Sequence, residues 1–182
     1  MAAVRDFFDE VDRLFGFFFD VGLACHTARK EIERVQLEFG SSDESPFIVR
    51  DGPPVGTPEE EIEKSLHSTT IGALKQRLND PGFDLMQAAH SVVVFTYHIW
   101  DEKYRAAIAL ERGVEVKDIQ VDIFGDLRIL RNSIIHNKGF AADDVSKCKT
   151  LTRFKPGDRI EFHKRDVEFV IRQLRQQLST YA

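Results

Sequence analysis

The chain has 182 residues, 42% hydrophobic and 30% charged, and its 30 acidic against 25 basic side chains leave a net charge of −5. That length suffices for one domain with a real core, and the composition is that of a soluble globular protein rather than a disordered, collagenous or disulfide-stapled one. Cys25 and Cys148 stand far apart with no CxxC spacing, as expected of reduced thiols in a cytoplasmic protein. The acidic start around Asp6, Asp9, Glu10 and Asp12 lacks the pattern of a signal peptide, and the apolar run from Leu14 to Phe19 stops at Asp20, too short to span a bilayer.

In chain order, Val4, Phe8, Val11, Phe15, Phe18, Cys25, Ile32, Val35 and Phe39 recur at helical steps and predict one amphipathic helix over about residues 3–39. Gly40 to Gly56, with Pro46, Pro53 and Pro54, reads as a polar loop. Thr57-Pro58-Glu59-Glu60 combines a capping hydroxyl, a first-turn proline and a capping-box glutamate, so a second helix starts there. It ends at Asn79-Asp80-Pro81-Gly82, with or without a break near Ser68-Thr69-Thr70.

From Phe83 to Arg112 a wide apolar surface carries Met86, Val93, Tyr97, Trp100, Tyr104 and Ile108, with Leu85, Ala89, Val92 and Ile99 beside them, as in the central helix of a bundle. Asp122 to Asn137 is the next helix, closed by Gly139. Phe154 to Phe162 predicts a short hairpin or extended link around Pro156-Gly157, and Val167, Val170, Ile171, Leu174 and Leu178 mark a last helix. The expected fold is all-α, an up-and-down helical bundle in a single domain of residues 1–182.

Chemistry concentrates in Leu127-Arg128-Ile129-Leu130-Arg131-Asn132-Ser133-Ile134-Ile135-His136-Asn137-Lys138-Gly139. Arginine and histidine together can cleave a phosphodiester without a metal, since one cation holds the phosphate while an imidazole moves a proton near neutral pH. With 15 Arg and six His in the chain, chance alone supplies roughly half an Arg-x4-His match, so the surroundings must decide. At about 100° per residue, Ile123, Leu127, Leu130 and Ile134 share one narrow core arc. Phe124, Arg128, Arg131, Asn132, Ile135 and His136 occupy a broad second arc, with Arg131 and His136 roughly 140° apart at its edges. Apolar side chains among cations and amides fit a surface covered by a partner, and a second copy about a two-fold axis would bring each chain's arginine and histidine toward the other's.

Arg131-Asn132-x3-His136, followed by Asn137-x-Gly139 and preceded by a helix with Trp100-Asp101-x2-Tyr104-Arg105, resembles the HEPN superfamily (higher eukaryotes and prokaryotes nucleotide-binding). The family motif is an arginine, four to six residues beginning with a polar one, and a histidine; Asn132 fills the polar place. The resemblance implies a helical bundle that dimerises through the motif helices and, in many members, a metal-independent ribonuclease that acts as a toxin or defence component. Other members keep a similar segment as a non-catalytic interaction or nucleotide-binding module, which is the alternative.

Charge distribution bears on this expectation. Arg128 to Arg165 holds ten Lys or Arg against four Asp or Glu, a local +6 in a chain of −5, which is compatible with RNA bound at one end and also with solvated helix faces. Arg131 and His136 are the candidate catalytic residues; Asn132, Arg128 and Lys138 are candidates to bind or orient substrate; Phe124 and Ile135 are candidates for the dimer interface. By itself His136 would read as a structural histidine on the last carbonyls of its helix, and Arg131 as the salt-bridge partner of an acid such as Asp101. His98, Asp101 and Glu102 share a helix side, but without HExxH, paired CxxC or a clear further ligand they read as a polar face, so no metal and no cofactor are expected. The expected partners are RNA, a second copy of the chain and, by resemblance to paired toxin systems, an antitoxin protein.

Overall fold

A computed structural model describes residues 2–53 and 56–181; Pro54, at the tip of the expected polar loop, lies outside the described residues. The protein is a mainly helical bundle with one two-stranded sheet. Helix α1 (Ala2–Phe39) is followed by strand β1 (Pro46–Val49), helix α2 (Pro58–Glu63), strand β2 (His67–Thr70) and helix α3 (Ile71–Arg77). Helix α4 (Phe83–Ile99) passes through a π turn (Trp100–Tyr104) into α5 (Arg105–Arg112), and α6 (Asp122–His136) and α7 (Lys164–Leu178) complete the chain. No helix among the described residues is long and apolar enough to cross a membrane.

Contacts divide the chain into two units, one of Met1–Asp20 with Met86–Ala182 and one of Val21–Leu85. In the smaller unit β1 and β2 pair antiparallel, with Pro46 opposite Thr70 and Val49 opposite His67. The sequence reading assigned these segments to a loop and to a helix break. Phe47, Ile48 and Val49 on one side and Thr69 and Thr70 on the other are aromatic or β-branched and favour a pleated pair over a helical turn. The expected cap of α2 is present: Thr57 Oγ1 accepts the Glu60 N–H at 3.4 Å and Glu60 Oε2 accepts the Thr57 N–H at 3.0 Å. Thr70 caps α3 in the same way, accepting the Ala73 N–H at 3.2 Å. Cys25 is buried and unpaired in this unit, and burial pushes its thiol above the ordinary value.

The larger unit is built on an aromatic cluster. The Phe7 ring meets Trp100, Tyr104 and Phe124 edge-on at 5.9, 5.4 and 5.7 Å, and Trp100 and Phe124 stack with centroids 3.8 Å apart. Val11, Phe15, Phe18, Ile108, Ile123, Leu127, Leu130, Val167, Val170, Leu174 and Leu178 extend this core, and burying each such side chain is worth about 1.5–3 kcal/mol. At the rim, Arg175 grips Asp12 through both carboxylate oxygens at 2.7 and 2.9 Å. Before α7 the chain is an extended link whose turn at Lys155-Pro156-Gly157-Asp158 places Gly157 at φ 85°, the left-handed position that a Pro-Gly turn requires. The link pairs with the segment after α6, through Ala141 N–H to Asp158 O and Gly157 N–H to Ala141 O, both at 2.8 Å.

Candidate functional site

Helix α6 carries the motif, and its two ends are held differently. At the start the Ile123 N–H donates to Gln177 Oε1 of α7 at 3.0 Å, which satisfies a first-turn donor. At the end the Asn137 and Gly139 N–H groups both reach the Ser133 carbonyl, at 3.0 and 3.2 Å, while Asn137 Nδ2 donates to Phe140 O at 2.8 Å. Lys138 and Gly139 both adopt left-handed φ, 54° and 81°, so the chain reverses within two residues of the motif histidine.

Helix α6 lies antiparallel to the α4–α5 rod. Arg105 lines the same groove as Val121 and Asp122, Asp101 the same groove as Gly125 and Arg128, and His98 the same cleft as Arg131 and Asn132. At the far end, a Cβ on Gly139 would sit 3.5 Å from His90 Cε1. The surface between the helices is a groove of about 440 Å³ that continues, through the shared residues Tyr97, Asp101 and Arg128, into a cleft of about 230 Å³. The cleft is lined by Tyr97, His98, Asp101 and Glu102 from the rod and by Arg128, Arg131 and Asn132 from α6.

Arg131 and Asn132 therefore open into one polar cleft with Arg128. The Arg131 guanidinium donates to Asn132 Oδ1 at 3.1 Å, and among the described residues neither Arg131 nor Arg128 forms an ion pair. The salt bridge from Arg131 to Asp101 weighed in the sequence reading is not formed. His136 is exposed on the last residue of α6 and does not line the cleft in a single chain. Lys138 is exposed beyond it and Ile135 is 46% exposed.

Phe124 departs from expectation. Placed by the helical wheel on the charged arc, it is 3% exposed and stacked on Trp100. The buried arc of α6 is wider at its first turn than the wheel implied, because Phe124 packs on Phe7 and Trp100 there. Phe124 is thus core in the single chain, and the reason for giving it an interface role, that it would otherwise lie in water, does not hold.

The basic end is also more selective than its total charge. Lys147 pairs with Asp144, Lys149 with Asp122, Arg153 with Asp166 and Arg159 with Glu161, so the cations left without a carboxylate among the described residues include Arg128, Arg131 and Lys138 of the motif itself. Tyr97 is half-buried in the cleft, and burial, reinforced by Asp101, raises its phenol above the ordinary value against the pull of Arg128 and Arg131. No three His, Cys, Asp or Glu side chains among the described residues converge as a metal site would require.

Sequence reasoning passed over two polar residues of α6 that position the site. Asp126, 2% exposed, accepts the N–H groups of Lys149, Thr150 and Leu151 at 2.6–3.1 Å. Ser133, 1% exposed, accepts the Ala142 N–H at 3.1 Å. The signal was partial: on the wheel both stand beside the apolar arc, about 40–60° past its edge and on the side away from the cations. Nearby, burial and Asp126 push the Cys148 thiol up to about 12, which makes it an inert packing group. Comparison of the chain with protein-family models, with curated proteins and with solved structures gives no match.

Proposed function

We propose that the protein is a metal-independent endoribonuclease of the HEPN type, working as a two-fold dimer and belonging to a toxin–antitoxin or defence system in the cytoplasm. The observation that supports this reading best is the open cleft in which Arg128 and Arg131, without an ion pair among the described residues, stand beside Asn132. Guanidinium groups left unpaired in a concave polar site are suited to a phosphate, which they can hold through paired N–H donors. In the reaction the substrate's own 2′-OH attacks the adjacent phosphorus and the 5′-oxygen departs, leaving a 2′,3′-cyclic phosphate. Arg131 stabilises the extra negative charge of the transition state and His136 transfers a proton. One motif supplies one imidazole, whereas the reaction needs a proton acceptor and a donor, so a site assembled from two copies is the chemical reason for a dimer.

The position of His136 outside the cleft in a single chain favours a second reading, a non-catalytic HEPN-like module that binds a nucleotide or a partner. Cleavage assays separate the two. Expected for the nuclease are an RNA cut in excess EDTA, an untouched DNA of the same sequence, and a cyclic phosphate or the phosphate derived from it at the new end. Arg131→Ala and His136→Ala should each slow cleavage by roughly 10²–10⁴ without unfolding the chain, since His136 is exposed and Arg131 only part-buried. Binding of RNA without any cutting, in both the parent and the variants, selects the module.

A further inference from the structure

The cleft that holds Arg131 contains an imidazole of its own. His98 lines it from the rod, opposite Arg131 and Asn132. The other histidines of the larger unit differ in their commitments. His90 is buried and its Nε2 donates to the Ile160 carbonyl at 2.7 Å, and His163 stands at the start of α7, where its backbone N–H donates to Asp166 Oδ2 at 2.8 Å, and does not line the cleft. His98 and His136 are exposed, and among the described residues no side-chain hydrogen bond engages either. His26 and His67 belong to the smaller unit.

We propose that His98 is a catalytic residue, the second proton-transfer group of the site, supplied by the same chain as Arg131. This rests on the ribonuclease reading above. Asp101 and Glu102 follow His98 at three and four residues along the rod and share its cleft, and Arg128 and Arg131 face it from α6, with Tyr97 beside it. The imidazole thus shares one cleft with two carboxylates and with the guanidiniums placed to hold the phosphate on which it would act. As O2′ bonds to phosphorus and the bond from phosphorus to O5′ breaks, one imidazole takes the 2′-OH proton and the other gives a proton to O5′. The two histidines end with their protonation states exchanged, and proton exchange with water restores them. A guanidinium and a proton-transfer group then occur together within one chain, and only His136 has to be brought to them.

The test uses the full chain and an RNA oligonucleotide, with a 2′-O-methyl copy as the uncleavable ligand. His98→Ala should lower the cleavage rate by roughly 10²–10⁴, leave affinity for the 2′-O-methyl copy within a few-fold of the parent, and regain part of its rate on addition of millimolar imidazole. Matching circular dichroism and melting midpoints establish that the variant folds. A variant as fast as the parent, or slow but indifferent to imidazole, overturns the assignment while leaving the ribonuclease standing, provided that Arg131→Ala is slow in the same assay. A parent that cuts no RNA overturns both.

Discussion

Asp126 holds the segment after α6 in place with a single carboxylate. Four hydrogen bonds of 2.6–3.1 Å run to it from three successive backbone N–H groups, and the residue itself is 2% exposed. Such donors would otherwise be orphaned, and each unsatisfied buried group costs about 1–3 kcal/mol. Asp126→Ala is expected to lower stability by roughly 3 kcal/mol or more, read as a drop in the urea midpoint. A loss below about 1 kcal/mol would mean that water replaces the carboxylate. At this scale the sequence was legible where residues follow period and size: Trp100, Tyr104 and Ile108 are buried where the stripe on the rod placed them. It was opaque where a polar side chain serves backbone far along the chain, since nothing local to Asp126 announces Lys149.

Helices and their ends carry the next level. Asp126 and Ser133 are seven residues apart, about 20° around the helix, so one side of α6 receives both returning strands of chain, at residues 149–151 and at Ala142. That fixes the opposite side as the one that presents Arg128, Arg131 and Asn132. The sequence reading expected one unbroken helix from Phe83 to Arg112; the rod instead contains a π turn, where the Arg105 N–H donates to the Trp100 carbonyl. A single wide turn leaves no mark on apolar spacing because both Trp100 and Tyr104 still face inward. It does aim Asp101 and Glu102 into the cleft, and π turns recur at functional sites. The hairpin was hidden for a related reason: its strands span only Pro46–Val49 and His67–Thr70, too short for alternation to outweigh the flanking Pro and Gly signals.

The closure of α6 also titrates. His90 supports Gly139 and donates to Ile160 O, and Ile160 N–H in turn reaches Gly139 O at 2.8 Å. Burial, with Arg159 adding to it, holds the His90 imidazole below its ordinary value, against the opposing hydrogen bond to Ile160. The unfolded chain therefore takes up this proton first as pH falls. The stability at stake is intact above the ordinary histidine value and is lost as pH drops below it toward the folded value. His90→Gln keeps a donor for Ile160 O but cannot titrate. Between about pH 7 and pH 5 the parent should lose more stability than this variant, and parallel urea midpoints in the two proteins would contradict the account.

For the molecule as a whole, the question is what covers the face of α6 that the core does not. The antiparallel register that sets His98 with Arg131 and Asn132, and His90 with Gly139, puts Phe95 and Ile135 at one level between them. These side chains are 51% and 46% exposed, and side by side they would form an apolar step next to the motif. Scattered exposed apolar residues mean little, but apolar residues adjoining unpaired cations and amides have the make-up of an interface core with a polar rim. In the proposed dimer this step meets its own copy across the two-fold axis and sets each His136 near the neighbouring cleft. Ile135→Asp puts two like carboxylates into that joint in place of an apolar contact, and desolvating them costs several kcal/mol even where Arg131, one turn back, pairs with them. Association should therefore weaken by roughly 10² or more. RNA cleavage should fall with it while the melting midpoint of the dissociated chain stays near that of the parent. Sedimentation across a dilution series checks both arms: a parent that is monomeric at micromolar concentration removes the joint, and an Ile135→Asp dimer as tight as the parent moves it to another face.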